Sequence, residues 1–422
     1  MARIKWKRSK QAGVMSTEDR RTRAHLDIPL LAITYILALF GVYCIAIATF
    51  NPDKGTELSV LNYILNSNSA SWQSVFCLVS PLILFFLIEI PYELMRVQGR
   101  LVYYGIIGLL LLALASEAIS GVSAWIPIGR GRTIQPAEFI KIGIILMLAR
   151  SLSSTEKPFG TLQNAMHNLV IFGAPVLITL AQGEVGSVLV MCVIFYVMLY
   201  FANAEPWLLI TILILAVLAV FGLLGYMLVS GSQSFRLLRI LSFLDPEQYQ
   251  SSGGYQILQS ELAIGSGGKT GIGTFVVGSL SQLNYVPEDW TDFIFSAIGE
   301  AFGFVGCVIV IAMYAALLLR MFYLAHYTPD PYGKLIIYGV MAMFFAHIIE
   351  NIGMTLGLLP ITGIPLPFLS YGGSNFVTNM AGIGLVLNVV KNRSSATAIS
   401  TPMTLYSGKR KRGRRKRRSA AL

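Results

Sequence analysis

Ile28–Phe50 reads IPLLAITYILALFGVYCIAIATF, a run without a single Asp, Glu, Lys or Arg. The hydrocarbon core of a bilayer needs about 20 apolar residues of helix, so this run reads as a membrane span. It is too long for a cleavable secretory signal and lacks a small-residue cleavage site behind it. Similar runs recur near 71–91, 101–120, 136–153, 166–182, 187–203, 206–229, 292–322, 332–357 and 374–391. The whole chain of 422 residues is 55% hydrophobic and 13% charged, with a mean hydropathy of +0.66. A soluble protein carries about 25% charged residues. The expectation is therefore an all-α, multi-pass membrane protein of about ten transmembrane helices within residues 28–391, not a soluble multidomain chain.

The net charge of +11 is carried by the ends: residues 1–27 hold eight Lys/Arg and 391–422 hold eleven, whereas the stretch between them has 13 bases against 18 acids. Basic flanks of membrane helices stay in the cytoplasm and touch anionic lipid. An even number of spans puts both termini there, as cytoplasmic tails 1–27 and 392–422. Arg96, Arg100, Arg150, Lys157, Arg320 and Lys334 then fall inside, and Arg130 and Arg132 outside. The tail GKRKRGRRKRRSAAL has no nucleic-acid-binding fold around it, so nucleic acid is not the expected partner. Cys44, Cys77, Cys192 and Cys307 sit in apolar runs without metal spacing and read as buried free thiols.

One connection is far longer than the roughly 2–8 residues usual between bundle helices: residues 231–291, between spans 7 and 8, form an extracellular loop on this topology. Arg236 and Arg239 open it, and residues 255–264 suit a short interfacial helix. Its second half, from Gly253 to Glu300, holds Gly265, Gly267, Gly268, Gly271 and Gly273 around Lys269, then Glu288, Asp289 and Asp292 just before the chain turns apolar. Ala263–Thr270, AIGSGGKT, approaches a phosphate-binding loop but has Ala where Gly is required and lacks the strand–helix context. Its glycines read either as backbone donors approaching a pyrophosphate or as a tightly turned loop. Clustered acids at a membrane boundary mark a functional-site candidate. Asp292 is either the N-cap of the next helix or a general base. A solvated Asp titrates near about 3.9; Glu288, Asp289 and burial would raise that value, and the helix N-terminus would lower it.

Further candidates lie along the same membrane face. Residues 125–141, WIPIGRGRTIQPAEFIK, put Arg130 and Arg132 beside a helix that Pro136 can open. Glu138 and Lys141, three apart, share a helix face; snorkelling alone also accounts for Lys141. Glu184 lies between two spans, while Glu300 and Glu350 are carboxylates within apolar runs. His347 reads as packed against a helix neighbour. Asn351–Asn375, NIGMTLGLLPITGIPLPFLSYGGSN, has too many prolines and glycines for a helix and reads as a re-entrant or outer-face loop, with Ser370 and Ser374 free to bind substrate or to cap.

Taken together, Gln135–Glu138 with Lys141, Arg239 with Phe243–Pro246, Gly254–Gln256, Gln259–Ser260, the glycine run, Val286–Glu288, Thr291–Phe295 and Asn351–Ser374 resemble the SEDS family (shape, elongation, division and sporulation: RodA, FtsW, SpoVE). The AIGSGG and YVPE stretches resemble RodA more than FtsW. Departures are Gln182–Gly186, where the family commonly has QPDLG, Trp290 before TDF, Ala301 after Glu300, and Asn375. The resemblance implies an inverting peptidoglycan glycosyltransferase that polymerises lipid II into β-1,4 glycan in the cytoplasmic membrane, beside a class B penicillin-binding protein. It implies Asp292 as the essential aspartate and a cavity lined by Glu138 and Lys141. The developing pyrophosphate charge would then fall to a subset of Arg130, Arg132, Lys141, Arg236, Arg239 and Lys269, with Glu184, Glu288, Ser370 and Ser374 as further substrate-binding candidates. A divalent cation is compatible with the leaving group, but no cation site is readable. The rival class is transport, a lipid II flippase or ion-coupled carrier using the intramembrane glutamates; a non-catalytic scaffold is the third.

Overall fold

A computed structural model describes residues 26–51, 59–116, 124–129, 132–155, 159–229 and 235–399. The basic tails up to residue 25 and from 400 onward lie outside these, as do Arg130 and the side chain of Arg236. The chain runs through α1 (Ile28–Ala48), α2 (Val60–Asn66), α3 (Asn68–Glu89), α4 (Tyr92–Leu114), a hairpin of β1 (Ile126–Gly129) and β2 (Arg132–Ile134), and α5 (Pro136–Ser153). It continues with α6 (Leu162–Gln182), α7 (Val185–Phe201), α8 (Pro206–Val229), α9 (Phe235–Leu244), α10 (Gly254–Ser266), α11 (Ile294–His326), α12 (Pro331–Thr355) and α13 (Gly373–Ile399).

A helix occupies each of the ten expected stretches. Among the described residues, seven of them (α1, α3, α4, α6, α11, α12 and α13) are long and apolar enough to cross a membrane. The helix ends follow local chemistry. Asp27, Thr161 and Asp330 accept from backbone N–H groups of the first turns of α1, α6 and α12, prolines stand at the starts of α1, α5 and α12, and Gly183 ends α6 in the left-handed region.

Helix α12 is the centre. It packs against α5, α7, α11 and α13, and Tyr332, Ile336, Val340, Met343 and Phe344 along it are buried. Its ends fix two levels. At the start, the Tyr332 hydroxyl donates to the Met95 carbonyl at 3.4 Å, and the Arg96 guanidinium lies over the Tyr332 ring. At the other end, Asn351 Nδ2 donates to the Asp292 and Ile364 carbonyls at 2.7 and 2.8 Å. At 1.5 Å per residue, these levels are about 28 Å apart.

The structure refines three expectations. The otherwise helical protein has one hairpin among the described residues, β1 and β2 pairing antiparallel with Ile126 opposite Ile134, immediately before α5. Within residues 231–291, α10 stands where a short helix over 255–264 is expected, and α9 is a second helix that the loop reading lacks. Of the two readings of the glycines, Gly267 and Gly271 follow the tightly turned one. Helix α11 is broken at Gly303 (φ 64°, ψ −164°), and the glycine run supplies the hydrogen bonds the break removes. Phe304 N donates to the Gly268 carbonyl (2.9 Å) and Val305 N to that of Lys269 (3.1 Å), while Ile272 N and Gly273 N donate to the carbonyls of Glu300 and Ala301. A Cβ on Gly267 would overlap the Gly299 carbonyl oxygen, and one on Gly271 that of Ala301. Gly271 also has φ +84°, a left-handed conformation that costs an L side chain roughly 1–3 kcal/mol before any overlap. Gly271→Ala is therefore expected to lower the unfolding midpoint in detergent, with Gly265→Ala, which meets nothing within 4 Å, as the silent control.

The Pro- and Gly-rich segment after α12 is re-entrant in the sense expected: irregular, yet with Leu366, Phe368 and Leu369 fully buried. Backbone without helical bonds at such depth needs other partners. It has them in Asn351, in Tyr314, whose hydroxyl donates to the Pro367 carbonyl (2.6 Å), in Ser370, whose Oγ accepts from Leu366 N (2.8 Å), and in Gln73, which donates to the Ser370 carbonyl.

Candidate active site

The turn 288–293 carries Asp292. Glu288 is held at φ +60°, and its carbonyl accepts from both Thr291 N and Phe293 N at 3.1 Å. The Thr291 hydroxyl donates to the Glu288 carboxylate at 3.1 Å. Tyr371 N, donating to the Trp290 carbonyl at 3.0 Å, and Asn351, bonded to the Asp292 carbonyl, tie this turn to the re-entrant segment. Asp292 thus precedes α11 on a turn fixed from several sides, and its half-buried side chain passes Gly363, where the missing Cβ leaves it room.

Burial pushes the Asp292 carboxyl up to about 6, with repulsion from Glu288 adding to the rise and the Arg239 guanidinium opposing it. Arg239 reaches in from α9, its Nη1 3.4 Å from the Ile361 carbonyl. A carboxyl raised in this way has the strength a general base needs near neutral pH. The two neighbours give a paired test. Arg239→Gln is expected to shift the acidic limb of the pH–rate profile to higher pH, and Glu288→Gln to lower pH; shifts of the same sign would remove the electrostatic account.

Asp289 is fully buried. Its carboxyl is raised well above the usual range by burial, with Glu300 and Glu288 adding to the rise, while Ser281 and the Trp290 amide oppose it. Glu300 is a structural group: it accepts from Leu280 N (2.6 Å), Ser281 N (3.0 Å) and Ser281 Oγ (2.7 Å), holding the turn before the acid cluster.

A second polar group lies under the site between α5, α7, α12 and α13. Lys141 and Glu138 form an ion pair at 2.6 Å, with side chains 0% and 1% exposed. Lys141 Nζ also meets His347 Nε2 at 2.8 Å, and Asn375 Nδ2 donates to Glu138 at 3.1 Å. Lys141 therefore does not snorkel; it is enclosed. Glu184, before α7, accepts from Gln135 Nε2 and Ser187 Oγ, and burial lifts its carboxyl to about 7.

The structure brings Asp292, Glu288 and Arg239 together and, separately, Glu138, Lys141 and Glu184. Arg132 belongs to the hairpin, its guanidinium 3.7 Å from the centroid of the Trp72 ring, close enough to Tyr371 to act on its hydroxyl. Ser374 Oγ accepts from Gln135 N at 3.2 Å, linking the starts of α13 and α5; Ser370 is spent on its own turn. Lys269 is exposed beside the Gly303 break, about 15 Å along α11 from its start, and so away from Asp292. His347, Asn351, Asn375 and Gly363 are the residues sequence reasoning left without a site role. Among the described residues, no three His, Cys, Asp or Glu gather as metal ligands.

The family model for the cell cycle proteins FtsW, RodA and SpoVE matches residues 27–395. The chain belongs to this family. Peptidoglycan glycosyltransferase MrdB of Escherichia coli K12 is 37% identical over 300 residues, which cover 70% of this chain and 79% of MrdB. Stage V sporulation protein E of Bacillus subtilis is 33% identical over 324 residues, covering 76% and 86%. Among solved structures, a chain described under structural coordination of polymerization and crosslinking by a peptidoglycan synthase complex superposes with a TM-score of 0.69 at 26% identity, covering 87% of this chain and 98% of that one. The rod shape determining protein RodA of Thermus thermophilus gives 0.62 at 25%, covering 87% and 97%. The FtsW/RodA/SpoVE fold thus extends over the described bundle, and this is a multi-pass protein of the cell membrane.

Proposed function

We propose that this chain is a peptidoglycan glycosyltransferase of cell elongation or division, polymerising lipid II with Asp292 as general base. The observation that carries the reading is the Asp292 carboxyl, partly open at one end of the bundle, immobilised by its turn and poised near 6. The acceptor sugar's 4-hydroxyl gives its proton to Asp292 as its oxygen bonds to the donor's anomeric carbon. The bond from that carbon to the pyrophosphate oxygen breaks, and the lipid pyrophosphate leaves with the electron pair. This single displacement inverts α to β without a covalent carboxylate intermediate. Arg239, which interacts with Asp292, would meet the developing charge, and Arg132 is a further candidate. Lys141, committed to Glu138, supports the floor.

On this reading ten helices cross the bilayer, both basic tails are cytoplasmic, and Asp292 faces outward. The relative in a peptidoglycan synthase complex supports a class B penicillin-binding protein as partner. Purified full-length protein given lipid II in liposomes, with and without that partner, is expected to yield glycan polymer. Translocation of lipid II without polymer would instead establish a flippase, and neither activity would leave a scaffold.

A further inference from the structure

At the level of Tyr332, about 28 Å from Asp292, a cavity of about 300 Å³ opens between α4, α5 and α6. Arg100, Arg150, His167, Asn164, Ser151 and Thr155 line it, and among the described residues no Asp or Glu does. We propose that it is a binding site for a phosphate ester, presented by an anionic phospholipid.

Three observations carry this. The guanidinium group of Arg150 lies close enough to those of Arg100 and Arg96 to be repelled by both, a crowding that an anion relieves. Arg150 is braced for the purpose: its Nη1 donates to the carbonyls of Arg96 (2.6 Å) and Val97 (3.1 Å), so it is held at the cavity rather than swept into solvent. Among the described residues, Arg100 and His167 have no hydrogen-bond or ion-pair partner, and both are exposed. Guanidinium and imidazole N–H groups on one cavity match phosphate oxygens, and basic pockets between membrane helices take lipid headgroups.

The flank decides between a lipid and a soluble ester. On α4 and α6, next in sequence to Arg100 or within one turn of His167, Leu101, Val170 and Met166 are exposed at 70, 60 and 52%, apolar side chains flanking the polar pocket. That pairing suits an amphiphile whose acyl chains run along the helices while its phosphate enters. Nothing in the proposed glycosyl transfer uses this cavity, so the two readings stand or fall separately.

The test measures the unfolding midpoint of the full-length protein in detergent during titration with dioctanoyl phosphatidylglycerol, dioctanoyl phosphatidylcholine or glycerol 3-phosphate at constant ionic strength. Phosphatidylglycerol is expected to raise the midpoint saturably, and phosphatidylcholine to leave it unchanged. A double variant, Arg100→Gln with His167→Gln, should raise the half-saturating concentration at least about tenfold, as loss of charged phosphate contacts requires. Lys391→Gln, which removes a cation already paired with Glu89, should not. Saturation by glycerol 3-phosphate at the same concentration would keep the phosphate site and assign it to a soluble ester. Absence of a saturable shift with either phosphate compound, or unaltered binding by the double variant, would overturn the site. If the double variant does not fold, His167→Gln alone is read in the same way, with a smaller loss expected.

Discussion

Asp292→Asn should leave a folded membrane protein whose rate of glycan polymerisation is lower by about 10²–10⁴-fold, the contribution of a positioned general base. In the wild type the rate should fall about tenfold per pH unit below about 6, because only the ionised carboxylate accepts the proton. Stability should move the other way. A carboxyl raised in the fold releases its proton at higher pH than in the unfolded chain. Its stabilising effect is therefore complete below the unfolded value near 3.8, declines as pH rises to about 6, and is absent above. The asparagine variant suffers no such loss, so at pH 8 its unfolding midpoint should equal or exceed that of the wild type. A variant that polymerises at the wild-type rate would remove Asp292 from the mechanism; one that is inactive and also unfolded would leave the inactivity explained by structure, so both measurements are made on one preparation.

Lys141→Met is expected to have the largest effect on stability. The lysine is fully enclosed, and its removal leaves Glu138 buried without its cation, a change that costs about 3–5 kcal/mol. Replacing both partners, Lys141→Met with Glu138→Gln, removes the isolated charge and should recover most of that loss, since Gln can still accept the Asn375 amide. Denaturation of the three proteins in one detergent checks this. Equal damage by the single and double variants would show that packing of the lysine stem, rather than charge pairing, sets its role.

What was legible in the sequence was whatever depended on neighbours in the chain. The apolar runs are marked by their length, Pro136 fits a helix start, and spacing alone puts Glu138 and Lys141 on one face. Helix α9 is legible in principle, for its leucines at 237, 238, 241 and 244 repeat at helical intervals around Arg239. The glycine run is ambiguous because the partners of Gly267 and Gly271, the carbonyls of Gly299 and Ala301, lie some thirty residues downstream. Nothing local distinguishes a glycine awaiting a phosphate from one awaiting another backbone. His347 likewise acquires meaning only from Lys141, 206 residues away. The value near 6 for Asp292 depended on a contest among burial, Glu288 and Arg239 that only their placement decides.

The interruption at Gly303 has a mechanical consequence. Residues 294–302 are spliced to the glycine run by hydrogen bonds rather than continued downward as one rod. The run holds both sides of the break, accepting from Phe304 and Val305 below it and donating to the carbonyls of Glu300 and Ala301 above it. The upper piece, about 14 Å long, is thereby clamped in line with the lower shaft although the helix between them is interrupted. Asp292 stands at the head of this clamped piece, so loosening the surface segment from 254 to 273 would loosen the carboxylate's footing as well.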